Sequence, residues 1–77
     1  MERELVEYLA KALVDEPDQV EVAVIEGEKS TILELRVAPD DVGKVIGKHG
    51  RIAKSIRTLL MAASSRSGKR VNLEILD

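Results

Sequence analysis

Between residues 20 and 37 the chain carries two runs in which every second residue is apolar. Val20, Val22 and Val24 alternate with Glu21 and Ala23, and Leu33, Leu35 and Val37 alternate with Glu34 and Arg36. A period of two is the pattern of a strand with one wet face and one buried face. Between the runs lies EGEKS, polar and containing a glycine, so the pair reads as a β-hairpin whose register the five-residue loop leaves open. A hairpin with one apolar face demands other elements to cover that face, and the flanking sequence supplies them.

Upstream, Glu2 to Glu16 reads as a helix with Leu5, Leu9, Ala12 and Leu13 along one stripe and Val6 beside it; Pro17 disfavours a helical Glu16 and stops it. Downstream, Pro39, Asp40 and Asp41 announce a second helix, with carboxylates at its positive end. Val42, Val45 and Ile46 give this helix an apolar side, and Gly47 ends it after about two turns. A longer helix follows Gly50 and runs to about Ser65, with Ile52, Ile56, Leu59, Leu60 and Ala63 as its buried stripe. The loop SSRSGKR closes it, and Val71, Leu73 and Ile75 alternate with Asn72 and Glu74 in a last strand. The order is α-β-β-α-α-β, an α+β fold with a three-stranded sheet packed on helices. It forms one domain over residues 1–77, with a helix and hairpin in 1–38 and a helix–loop–helix–strand core in 39–77.

Charge divides this chain sharply. Residues 1–41 carry 12 acids against 4 bases, whereas residues 42–70 carry 8 bases (Lys44, Lys48, Arg51, Lys54, Arg57, Arg66, Lys69 and Arg70) and no acid. The formal net charge of −2 hides this asymmetry, which reads as a basic working face on an acidic, solubilising body. There is no cysteine, so neither a disulfide nor a thiolate metal site is available. The N-terminus alternates charged with apolar residues and no window approaches the roughly 18 apolar residues of a membrane span, so a cytoplasmic protein is expected.

The two later helices meet at Gly47-Lys48-His49-Gly50. Gly47 suits the positive φ that closes a helix, and Gly50 keeps the start of the next helix free of a side chain. Backbone N–H groups left uncovered at a helix N-terminus, with Lys48 and Arg51 beside them, make a phosphate site built mainly of main chain. A bare GxxG is more often a pair of helix caps. Here Val45-Ile46 before it, Ile52 after it, two basic residues inside it and a hairpin upstream all agree.

The run VIGKHGRIAKSI is similar to the VIGxxGxxI core of the KH RNA-binding domain, whose GxxG loop grips the backbone of about four nucleotides. With the DEPDQVEV entry, the STILELRVAPDDVGKVIGKHGRIAKSIRTLL run and the GKRVNLEI ending, the whole chain resembles the small stand-alone bacterial KhpA type, in the type II (prokaryotic) arrangement. The resemblance implies a non-catalytic protein that holds short single-stranded RNA with low sequence specificity, an RNA chaperone or post-transcriptional regulator. It implies a groove between the kinked helix pair and the neighbouring strand. Gly47, Lys48, His49 and Gly50 would hold the sugar–phosphate backbone, and Val45, Ile46 and Ile52 would form an apolar floor shared with the core. Arg36 or the Leu35–Val37 edge would line the far wall, and Lys44, Arg51, Lys54 and Arg57 would extend the positive field. Also implied is a homodimer, or a heterodimer with a larger KH-containing protein of the KhpB (Jag) type.

With one Tyr and no Phe or Trp, the chain has no aromatic platform for base stacking. His49, the single histidine, has no partner for metal binding or general-base work, and Ser55, Ser64, Ser65 and Ser67 have no base to activate them, so no cofactor, metal or small-molecule substrate is expected. Lys69-Arg70 fits an extended RNA surface and a simple strand flank equally. Met61 and Ala62, off the buried stripe, fit a protein contact or ordinary exposure. The alternative reading is a KH-fold interaction module whose main role is pairing. A DNA-binding helix-turn-helix is the weaker third, for want of Asn or Gln on the second helix.

Overall fold

The computed structural model describes residues 2–64 and 68–76. Its elements are α1 (Glu2–Leu13), β1 (Glu21–Glu26), β2 (Ser30–Arg36), α2 (Val42–Ile46), α3 (Arg51–Ser64) and β3 (Arg70–Leu76). Single 3₁₀ turns at Pro17–Gln19, Pro39–Asp41 and Lys48–Gly50 lead into β1, α2 and α3. The α-β-β-α-α-β order is as the periodicity predicts. The SSRSGKR loop and the far end of the third helix reach residues 65–67, outside the described residues.

The hairpin forms with Val22 opposite Leu35 and Val24 opposite Leu33, in antiparallel pairing. Its strands run further than the alternation implies, so only residues 27–29 connect them, and the Gly27 N–H donates to the Ser30 carbonyl at 2.8 Å. β3 then pairs with β2 in parallel, Leu33 beside Leu73 and Leu35 beside Ile75. The sheet order is therefore β1-β2-β3, which leaves β2 central and both other strands at edges.

One face of the sheet carries the helices. Val22, Leu33, Leu35 and Leu73 meet Val6 and Ala10 of α1, Val45 of α2, and Ile56 and Leu60 of α3 in a single cluster. Fully buried leucines such as Leu33, Leu35 and Leu60 each contribute about 1.5–3 kcal/mol by leaving water. Glu21, Glu34, Arg36, Asn72 and Glu74 belong to the alternate positions on the helix-free face.

Packing shifts two expected stripes. In α1 the buried line is Val6 and Ala10, with Leu5 and Leu9, and Val14 just after the helix, partly covered, while Ala12 and Leu13 are exposed. The pair at the centre of the apolar arc is wholly covered, in one cluster with the sheet residues Val22, Leu33 and Leu35. In α3 the line is Ala53, Ile56, Leu60 and Ser64; Leu59 is 48% exposed and Ala63 is exposed. α1 also stops at Leu13, short of Glu16. The Glu16 N–H that would close a last turn donates instead to Asp41 Oδ2 at 3.0 Å.

Asp41 does not cap α2, where its carboxylate makes no capping bond. It is 1% exposed and ties the α1–β1 connection to the start of α2. Burial alone would raise its carboxyl; the N–H groups of Glu16 and Asp15 and the Lys44 ammonium outweigh that and hold it below the usual carboxylate range. Among the described residues no helix is long and apolar enough to cross a membrane.

Candidate nucleic-acid interface

The junction of α2 and α3 is shaped by two glycines that serve different ends. Gly47 closes α2, its N–H donating to the Gly43 carbonyl at 2.9 Å, and it turns the chain at φ 80°. A Cβ there would stand 2.6 Å from Ile52 Cγ1 and 2.9 Å from the Ile52 main-chain nitrogen. Only glycine fits, on steric as well as conformational grounds. Gly50 also has a positive φ, 72°, but a Cβ on it would meet nothing within 4 Å. Its outer side is open space.

Between them Lys48 and His49 are exposed, with His49 itself in the left-handed region at φ 58°. Not every amide of the junction stays open. Gly50 N–H donates to the Gly47 carbonyl at 3.0 Å, and Arg51 N–H to the Lys48 carbonyl. The N–H groups of Lys48 and His49 have no partner among the described residues. These two amides, rather than the whole stretch, are the main-chain donors available to an anion. Arg51, next along, is exposed.

The predicted floor divides. Val45 is 0% exposed and belongs to the core, because α2 is held against α3 and the sheet through it. Ile46, 37% exposed, and Ile52, half-buried against Gly47, are the apolar surface next to the loop. Lys44 does not extend the free positive field. Its Nζ lies 3.3 Å from Asp41 Oδ1 and 3.3 Å from Asp15 Oδ2, and these contacts, Asp41 first, raise its pKa above the ordinary lysine value.

The far wall is not where the sequence places it. β2 is the central strand, Leu35 and Val37 are buried, and Arg36 lies on the helix-free face, opposite Glu21. The strand with a free edge beside α3 is β3. Lys54, Arg57 and Met61 recur at i, i+3 and i+7 along one flank of α3, and Arg57 Nη2 donates to the Leu73 carbonyl at 3.2 Å. A groove of about 690 Å³ runs between Arg57, Met61 and Ser64 on the helix and residues 68–73, so that Lys69, Arg70 and Val71 also line it. Sequence reading missed this wall: the alternation shows a strand over 71–75 but not which of its edges stays unpaired.

The site thus joins a short helix junction with two open amides, the exposed cations Lys48, Arg51, Lys54 and Arg57, and an edge-strand groove with partly apolar walls. Such a surface suits a flexible polyanion with bases between its charges. Among the described residues no three potential metal ligands come together.

The family described as KhpA/KhpB, KH domain, matches residues 3–75. The chain is 62% identical over 76 residues to the RNA-binding protein KhpA of Borreliella burgdorferi, covering 99% of this chain and 93% of that one. It is 58% identical over 77 residues to the RNA-binding protein KhpA of Treponema pallidum, covering 100% and 96%, and 56% identical over 75 residues to that of Aquifex aeolicus, covering 97% and 95%. Among solved structures, Aquifex aeolicus Era bound to GDP.AlF4- matches with a TM-score of 0.63 at 24% identity, over 96% of this chain and 29% of that one. That likeness concerns the fold alone. Identity above half over nearly the full length of these relatives, together with the matching family, means that the chain belongs to the KhpA/KhpB KH-domain family.

Proposed function

We propose that this protein binds short single-stranded RNA in the cytoplasm, as an RNA chaperone or post-transcriptional regulator rather than as an enzyme. Its curated relatives are named RNA-binding proteins. The observation that carries the reading is the pair of unpartnered Lys48 and His49 amides, set between exposed cations beneath open space at Gly50. Phosphates of the strand meet Lys48, His49 and Arg51; the chain then follows Lys54 and Arg57 into the groove beside β3. Ile46 and Ile52 contact the sugar and base nearest the loop. Phosphate contacts carry no sequence information, so overall specificity is low.

Replacing Lys48 and His49 together by Asp tests this reading. Aspartate tolerates the left-handed φ of His49, so the circular dichroism spectrum should be retained while the mobility shift of a labelled RNA is lost. Unchanged binding would remove the loop from the mechanism.

A second reading, self-association or pairing with a KhpB-type partner, is supported by the apolar end of α3. There Leu59 is 48% and Met61 69% exposed, with Ala62 and Ala63 also exposed. Joining two short RNA sites would raise avidity. Sedimentation of the protein and of Leu59→Glu checks it: a monomer at high concentration would end the self-association reading.

A further inference from the structure

We propose that the free edge of β1 docks a cationic, extended segment of another protein, which joins the sheet as a fourth strand on the side away from the groove beside β3.

The main chain sets the edge. Gly27 N–H donates to the Ser30 carbonyl at 2.8 Å, so Gly27 faces β2. A strand residue points its N–H and C=O to one side, and the side alternates along the chain. Glu21, Ala23 and Ile25 therefore face β2 as well, while Val22, Val24 and Glu26 aim their main-chain groups outward. β1 ends the sheet, and among the described residues no other segment pairs with those groups. A row of residues with a free donor and a free acceptor each is a template for strand addition.

Both faces beside this edge are apolar and open. Val24, on the helix-bearing face, is 43% exposed and lines a recess of about 380 Å³ between the start of α1 and the sheet, with Leu33 and Val71. Ile25, on the opposite face and paired with Ile32, is 48% exposed. An added strand would cover Val24 with one set of its side chains and Ile25 with the other.

Charge identifies the occupant. Residues 18–28 contain Asp18, Glu21, Glu26 and Glu28 and no base. Among the described residues none of these carboxylates is in an ion pair. Around the recess Glu2, Glu4 and Glu26 outnumber Arg3 and Lys69, and Arg3 is already held by Glu7 at 3.4 Å. A second β1 would bring its own Glu21 and Glu26 to the same edge, so self-pairing is repelled, whereas a strand flanked by lysine or arginine is attracted. The same carboxylates repel a nucleic acid, which sets this edge apart from the basic helix junction.

The test is fluorescence anisotropy with the labelled peptide KRVTVTVRK, an acid-flanked form EDVTVTVDE and a proline form KRVPPTVRK. One of the two adjacent prolines must face β1 in any register, and there it can donate no hydrogen bond. The wild-type protein should bind KRVTVTVRK at least about tenfold more tightly than either other peptide. Val24→Pro removes one outward N–H and no bond to β2. It should keep the circular dichroism spectrum and lose about tenfold in affinity for KRVTVTVRK, and the double variant Glu21→Lys with Glu26→Lys should lose as much. The amide resonances that shift on titration should be those of residues 22–26. No binding of KRVTVTVRK, equal binding of the three peptides, or shifts confined to residues 48–57 would overturn the proposal. So would a self-associated form of the wild type that Val24→Pro dissolves, since the edge would then belong to a second copy.

Discussion

Gly47→Ala and Gly50→Ala change equivalent atoms in one short loop, yet the structure assigns them different consequences. Both sites have a positive φ, 80° and 72°, which costs a residue with a Cβ about 1–2 kcal/mol. At Gly50 nothing more is added, because no atom lies within 4 Å of the new methyl group. At Gly47 the methyl would sit 2.6 Å from Ile52 Cγ1 and 2.9 Å from Ile52 Cβ and the Ile52 nitrogen. Relief would require α3 to shift, since the Ile52 main chain is its first turn, and overpacking of this kind costs about 1–3 kcal/mol more. The total at Gly47 is then about 2–5 kcal/mol, against a stability of about 4–12 kcal/mol for a domain of this size. Near 4–8 °C of melting temperature per kcal/mol, Gly50→Ala should melt about 4–16 °C below wild type and Gly47→Ala at least about 8 °C below it, with Gly47→Ala the lower of the two. Thermal and urea unfolding followed at 222 nm compare them directly. Equal losses, or a larger loss at Gly50, would refute the assignment of Gly47 to the fold and of Gly50 to the approach of the ligand.

Four further outcomes are expected. Gly43 is helical, exposed and has nothing within 4 Å of a Cβ, so Gly43→Ala should stabilise by about 0.5–1 kcal/mol in urea unfolding. Leu60→Ala removes a fully buried side chain and should cost about 2–5 kcal/mol by the same assay. The folded-state pKa of Asp41 is depressed, so its contribution is present above the ordinary carboxylate range and is lost as pH falls through the folded-state value; Asp41→Asn should lower stability at pH 7 and flatten the loss between pH 5 and acid in urea titrations. Lys54→Ala should reduce the slope of log affinity against log salt by about 0.7 if it meets one phosphate, whereas Arg36→Ala, on the helix-free face, should leave the slope unchanged.

Features that depend on nearest neighbours were legible in the sequence. The hairpin, the three helices and the last strand follow from period-two and helical patterns that local backbone geometry imposes. The kink at Gly47 and Gly50 could be placed because positive φ is a property of single residues. The asymmetry of charge needed no coordinates at all. Where the reading stopped is equally physical. That β3 joins β2 in parallel, and so offers the free edge beside α3, is decided by pairing between segments some forty residues apart. That Val45 is wholly covered while Leu59 lies open depends on which side of each apolar arc meets a neighbour, and α2 and α3 have arcs wide enough to allow either. Asp41 and Lys44 look like a helix start and a free cation until the connection that follows α1 packs against them, Glu16 N–H on Asp41 and Asp15 on Lys44. The sequence by itself determined the elements, the loop and the sign of its charge; the tertiary structure decided which cations stay free and which strand edge they face, because desolvation and ion pairing depend on what is packed nearby rather than on what is adjacent in the chain.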